Sequence, residues 1–247
     1  MRHSLDDTRE KLKQAQKEII ARTRLATMGQ IAANISHEIR NPLEAMSGAV
    51  EILSGEPRLN ADSRESLTIL QEEIQNLDDY LNEFLEFARP MPVRLVSTKI
   101  NALVEDCLFL LRPLLRKKHV KATTELAEDL PTCTLDVNQL KRVIINIVLN
   151  SIEAIPEQGE LRISTKNPNG RVEIILRDDG EGIREDHLPR VFDPYFTTKS
   201  SGSGLGLPLS KMIVEQHDGS IRIESRLGEG TIVTVSLPAN PKGIVDG

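Results

Sequence analysis

Two apolar stripes in succession, each ended by glycine or proline, constrain this chain more than any other feature. Ile31, Ile35, Ile39, Leu43, Met46, Val50 and Leu53 recur at steps of three and four until Gly55 and Pro57 stop the run. Leu67, Leu70, Ile74, Leu77, Leu81, Phe84 and Ala88 repeat that spacing, and Pro90 and Pro92 end it. Such spacing lines one side of a helix. The pattern predicts two long helices joined by a polar loop into an antiparallel hairpin. A lone hairpin leaves part of each stripe wet. Two hairpins packed as a four-helix bundle bury the stripes, which predicts a homodimer.

Residues 1–25 are rich in Lys, Arg, Glu and Gln. Leu5, Leu12 and Ile19 recur every seventh position, with Ala15 between. This pattern reads as a short coiled-coil helix. Thr8 and Arg22 are poor core residues, so a solvated single helix accounts for it equally well.

After Pro92 the period changes. Strands are expected at 94–99, 120–126, 161–165, 172–177, 221–225 and 231–237, with a turn at Gly228-Glu229-Gly230. Helices are expected at 100–118, 138–155 and from about 205 to 217, the second with Leu140, Val143, Ile144, Ile147 and Val148 on its apolar side. Strands grouped with packed helices give a two-layer α/β domain. The fold class is therefore α+β: a helical hairpin followed by a two-layer domain. The tail from Ala239 onward holds Pro and Gly and reads as loose.

Charge and composition narrow the partners. Net charge is -6, aromatics are 3% and Trp is absent, so base stacking on nucleic acid is not expected. The longest apolar run, Val143 to Leu149, is too short to span a bilayer, and the N-terminus lacks a signal-peptide core. No direct membrane contact is expected. A cytoplasmic location follows, compatible with the cytoplasmic portion of a membrane-anchored sensor. Cys107 and Cys133 have no metal-type spacing and read as reduced, buried thiols.

Ser36-His37-Glu38-Ile39-Arg40-Asn41-Pro42 lies inside the first stripe. His37 falls roughly opposite the apolar residues at about 100° per residue and should face solvent. Asn41 is one turn on and shares its face. Glu38 can accept a proton from an imidazole or hold its tautomer. Pro42 removes a helical hydrogen bond and predicts a bend beside His37. A neutral imidazole is a good nucleophile, and attack on a γ-phosphoryl group would yield a phosphoramidate. The phosphoryl donor must bind elsewhere.

The later segments supply a pocket. Asn146 and Asn150 lie one turn apart on an otherwise apolar helix and need polar partners. The carbonyl oxygen of Asn150 could ligate Mg²⁺. Asp178-Asp179-Gly180-Glu181-Gly182 follows a strand. A carboxylate there can accept the exocyclic amine of adenine, and Gly180 and Gly182 let backbone approach the base. Asp178 is the first choice for that contact and Asp179 the second. Phe192 to Lys199 leads to Gly202-x-Gly204-x-Gly206, which opens a helix suited to phosphate oxygens. Residues 181–203 read as an irregular lid over a ligand, and the aromatics at 192, 195 and 196 argue that part of it packs down.

Taken together, these segments resemble the sensor histidine kinases of two-component systems. His37 with Glu38 and Asn41-Pro42 is similar to the H box, Asn146 to Asn150 to the N box, Asp178 to Gly182 to the G1 box, Phe192 to Phe196 to the F box, and Gly202 to Gly206 to the G2 box. Thr231 matches a late threonine near the adenine. Phe192 to Lys199 and Phe87 to Pro90 look like the nitrogen- and zinc-responsive subgroup. The resemblance covers nearly everything after residue 25.

It implies a signalling helix over 1–25, a dimerisation and phosphotransfer domain over 26–91, a Bergerat-type ATP-binding domain over 92–240 and a tail over 241–247. It also implies a reaction: ATP with Mg²⁺ phosphorylates His37, and the group passes to an aspartate on a response regulator receiver domain. Glu38 would be the base, and Asn41 would orient water when the regulator is dephosphorylated. Many relatives carry Lys three residues after the second N-box Asn, whereas this chain has Glu153. Lys199 is the first candidate to offset the phosphate charge and Arg142 the second. The rival readings are an ATPase of the gyrase, chaperone and mismatch-repair type, and a pseudokinase scaffold. Asn146 is a poor base for water, which favours the kinase.

Overall fold

The computed structural model describes residues 39–56, 59–88, 93–199 and 202–239. The coiled-coil stretch at 1–25, His37, Glu38 and the tail lie outside the described residues. The chain divides into two compact units, Met1–Met91 and Pro92–Gly247.

In the first unit, helix α1 is described over residues 39–54 and helix α2 spans Ala61–Ala88. Asn60 Oδ1 accepts the Ser63 amide at 2.7 Å and so caps the start of α2. Arg40 Nη2 donates to Asn82 Oδ1 at 2.7 Å, and Arg40 Nε donates to Asp78 Oδ1 at 3.3 Å. Asn82 Nδ2 in turn donates to Asp78 Oδ2 at 3.0 Å. Residues early in α1 therefore meet residues late in α2, the antiparallel pairing that the stripes predict. The stripes divide between two faces. Leu43, Val50, Leu67 and Leu81 are buried within the hairpin, while Met46, Leu53, Leu70 and Leu77 are each about half exposed.

The second unit holds strands β1 (Val96–Thr98), β2 (Val120–Leu126), β3 (Cys133–Leu135), β4 (Gly159–Lys166), β5 (Arg171–Asp178), β6 (Ser220–Arg226) and β7 (Gly230–Pro238). Its helices are α3 (Ile100–Lys117), α4 (Val137–Ala154) and α5 (Gly206–Gln216). Five strands form one sheet in the order β2-β4-β5-β7-β6, with β2 and β4 parallel and the other neighbours antiparallel. The short β1 and β3 pair separately. Leu161, Ile163, Val172, Ile174 and Leu176 alternate inward along β4 and β5, as a sheet covered by helices requires. Leu140, Val143, Ile144, Ile147 and Val148 of α4 meet them, all buried. The unit is the expected two-layer α/β domain. Sequence periodicity misses β3, because three residues offer too little alternation to read.

Asp136 joins the start of α4 to its surroundings. Its carboxylate accepts the amides of Asn138 and Gln139, capping the helix, and of Arg94 at 2.9 Å. Burial pushes this carboxyl up, and the three amides pull it further down, to a net value below the usual range. The Asp136 amide donates to His217 Nε2 at 2.9 Å, and His217 Nδ1 lies 2.7 Å from the Ile213 carbonyl. With an amide aimed at Nε2, the imidazole proton sits on Nδ1. Cys107 and Cys133 are free and buried, and desolvation pushes both thiols up to about 11.

Candidate active site

The site forms where α4, the end of β5 and the start of α5 meet. Asp178 is the last residue of β5 and is 4% exposed. Its Oδ2 accepts from Ser151 Oγ at 2.8 Å, and its Oδ1 accepts the amides of Gly180 and Thr231, each at 3.1 Å. Burial raises the carboxyl above its ordinary value, and these three donors offset only part of that rise. Its neighbour Asp179 is exposed, and its Oδ1 accepts the Glu160 amide at 2.8 Å. Of the two candidate carboxylates, Asp178 is the one held inside the fold. Thr231 takes part through its amide, while its hydroxyl lies 2.9 Å from Ser225 Oγ.

The glycines near Asp178 sit where chains nearly touch. Gly182 has φ of 71°, and a Cβ there would lie 1.9 Å from the Arg226 carbonyl oxygen. Both the backbone angle and the space reserve this position for glycine. Gly180 crosses α4 at Ala154, whose carbonyl accepts the Glu181 amide at 2.8 Å.

Asn146 and Asn150 find the polar partners their burial demands. Asn146 Nδ2 donates to Ser210 Oγ at 2.8 Å, and Ser210 Oγ donates to the Gly206 carbonyl at 2.9 Å. Gly206 is where α5 starts, and a Cβ on it would lie 2.4 Å from Asn146 Oδ1. The glycine thus lets the start of α5 lie against α4. Asn150 Nδ2 faces Asn146 Oδ1 at 3.5 Å, which turns the Asn150 oxygen the other way. That oxygen accepts from Lys199 Nζ at 2.9 Å, and the same ammonium contacts the Glu153 carboxylate. Arg142, the second cation candidate, is half-buried on α4.

The segment before α5 is more ordered than an irregular lid. A 3₁₀ turn spans Leu188–Arg190. His187 meets Phe196 edge-on at 5.5 Å, and the Arg190 guanidinium lies 4.4 Å from that ring's centroid. The Tyr195 amide donates to the Gly204 carbonyl at 3.0 Å. Gly202 lies beside Thr197 Oγ1. Val191 is buried and Phe192 and Phe196 are half-buried, while Tyr195 stays exposed.

The structure thus brings together Asn146, Asn150, Asp178, Gly180, Gly182, Lys199, Gly206 and Thr231. Asn41 stands exposed on α1, in the other unit. Ser151 and Ser210 were not singled out from sequence. Ser151 lies four residues after Ile147 on the buried side of α4, and a hydroxyl there needs a partner. Among the described residues no cluster of three or more His, Cys, Asp or Glu could hold a metal by itself. The oxygen of Asn150 faces a cation, so the donor set suits a metal that arrives with most of its ligands.

Residues 27–91 match the His Kinase A (phospho-acceptor) domain, and residues 135–241 match the histidine kinase-, DNA gyrase B- and HSP90-like ATPase domain. The chain is 37% identical over 232 residues to the signal transduction histidine-protein kinase AtoS of Escherichia coli, covering 94% of this chain and 38% of that protein. It is 32% identical to the sensor histidine kinase ZraS of Escherichia coli over 91% of this chain and 48% of that one. The chain spans less than half the length of these relatives. Among solved structures, full-length ShkA in complex with AMPPNP is 25% identical with a TM-score of 0.74, covering 86% of this chain and 46% of that one. The histidine kinase ThkA in complex with the response regulator protein TrrA is 27% identical with a TM-score of 0.68, covering 94% and 68%. No helix among the described residues is long and apolar enough to cross a membrane.

Proposed function

This chain belongs to the sensor histidine kinases of two-component systems, and on that premise we propose that it phosphorylates His37 from ATP and passes the group to an aspartate of a response regulator. The observation that carries this reading is Asp178, sealed at a strand end and held by Ser151 and two amides. A carboxylate fixed in that way is an acceptor for the exocyclic amine of adenine. The start of α5 at Gly206, with Gly202 and Gly204 before it, suits the phosphates.

The chemistry is in-line displacement. A ring nitrogen of His37 attacks the γ-phosphorus, a P–N bond forms, the bond to the β-phosphate oxygen breaks and ADP leaves. The imidazole proton passes to Glu38. Asn150 Oδ1 would hold Mg²⁺, which would supply charge neutralisation for the phosphates when bound. Lys199 supplies the further positive charge. His37 and the pocket belong to different units, so transfer requires ATP to be delivered to the imidazole. The aspartate of the receiver domain then attacks phosphorus and releases His37. ThkA bound to a response regulator supports a partner of this kind.

The second copy of the chain is the other expected partner. Met46, Leu53, Leu70 and Leu77 face outward from the hairpin, and a four-helix bundle would cover them. Asn41 would orient water against a phosphorylated regulator, and its exposure on α1 supports that role.

Hydrolysis to free phosphate is the competing reading, and Asn146 argues against it. Its amide nitrogen is committed to Ser210 and it has no basic oxygen to activate water. The test is incubation with labelled ATP and Mg²⁺. Acid-labile, alkali-stable label on the protein, lost in His37→Gln, is the expected result. Free phosphate without labelled protein would overturn the kinase reading.

A further inference from the structure

Asn150 Oδ1 and the Glu153 carboxylate converge on one ammonium, that of Lys199. The Asn150 amide is held with its oxygen outward, because its nitrogen faces Asn146 Oδ1. The two side chains are three residues apart on α4 and share a face. Their convergence marks a position for positive charge on the rim of the pocket. A single amide oxygen has limited capacity, so Lys199 and a metal arriving with a nucleotide compete for it.

We propose that Glu153 selects for metal-loaded nucleotide, making the pocket discriminate ATP–Mg²⁺ from free ATP. This rests on the reading of the pocket as an ATP site. A carboxylate on the rim repels a bare triphosphate. It would repel the same triphosphate less once a bound divalent cation has neutralised part of its charge. Lys199 is the counter-ion that Glu153 keeps when no divalent cation is present. Asn150 Oδ1 would hold the cation that comes with the nucleotide, and Lys199 would then be free to face the phosphates. Lysine at this position of α4 would attract free ATP and metal-loaded ATP alike, whereas Glu153 makes the two ligands unequal.

The experiment is calorimetric titration of the full chain with ATP, once with Mg²⁺ and once with EDTA. The quantity read is the ratio of the two dissociation constants. In Glu153→Gln the metal-free affinity should rise and the ratio should fall by about tenfold, the effect of removing one charge at side-chain range. In Lys199→Met the metal-free affinity should fall, because Glu153 then faces the bare triphosphate without its counter-ion. Both residues are solvent-accessible, so neither change disturbs the core. An unchanged ratio in Glu153→Gln, with wild-type binding intact, overturns the selection role alone. Absence of ATP binding by the wild-type chain in both conditions overturns the nucleotide reading and this inference with it.

Discussion

Ser151 Oγ donates to Asp178 Oδ2 at 2.8 Å, and both residues are almost sealed from solvent. Desolvation raises the Asp178 carboxyl, so its ionised form weakens the fold between its unfolded value and the raised folded value. Stability from this group is therefore greater at low pH and declines as pH rises through that window. Asp178→Asn should keep or increase the melting temperature at neutral pH. The amide oxygen can still accept from Gly180 and Thr231, and the amide nitrogen can donate to Ser151. ATP affinity should nonetheless fall by at least about tenfold, or ~1.4 kcal/mol. Thermal unfolding and calorimetry check the two halves; equal losses in both would remove the adenine role.

Ser151→Ala deletes a donor to a buried carboxylate, an interaction worth about 1.5–3 kcal/mol. Ser151 pulls the Asp178 carboxyl down, so its loss shifts that group further up. Recognition by the ionised form should then fade at a higher pH than in wild type. ATP titrations from about pH 8 to about pH 5 should show the variant losing affinity first.

Gly206→Ala separates stability from binding. Alanine favours a helix over glycine by about 0.8–1 kcal/mol. Its Cβ, however, would fall 2.4 Å from Asn146 Oδ1. Chemical denaturation should show little net change, while ATP affinity drops as Asn146 and the start of α5 move apart. Full affinity in this variant would mean that the α4–α5 contact does not shape the pocket.

Leu70→Lys places a charge among the outward-facing hairpin residues. In a four-helix bundle that charge is buried without a partner, at a cost of several kcal/mol. Sedimentation should show dimer in wild type and monomer in the variant, with the isolated ATP-binding unit's nucleotide affinity matched by both.

Asn41→Ala should leave autophosphorylation unchanged and slow dephosphorylation of the regulator by at least about tenfold, as expected when a positioned group is lost. The assay follows phosphorylated regulator with and without the variant. Unaltered decay rates would remove the water-orienting role.

Much of the pocket was legible because its residues broke a pattern. Asn146 and Asn150 interrupted an apolar helix face, and Asp178 closed a strand just before two glycines. The partners were harder to read, because they are ordinary in type. Ser151 resembles any helical serine until its register with Ile147 is noticed, and Ser210 sits in a helix whose contact with α4 is tertiary. Thr231 stands out in the sequence only by resemblance, yet it is its amide, which every residue but proline has, that reaches Asp178. The loop at 181–203 read as irregular because no period runs through it. Its order comes instead from His187, Arg190 and Phe196 meeting across the chain. The alternation of buried and exposed members within each hairpin stripe was also implicit: one line of apolar residues was too broad for a single neighbour.

The Tyr195–Gly204 hydrogen bond has a consequence for the cost of gripping a ligand. Bringing two points of a chain together costs entropy, and here the fold has already joined Tyr195 to Gly204. Losing that bond would lengthen the effective tether before α5, and any ligand proposed to sit there would have to carry the closure cost itself.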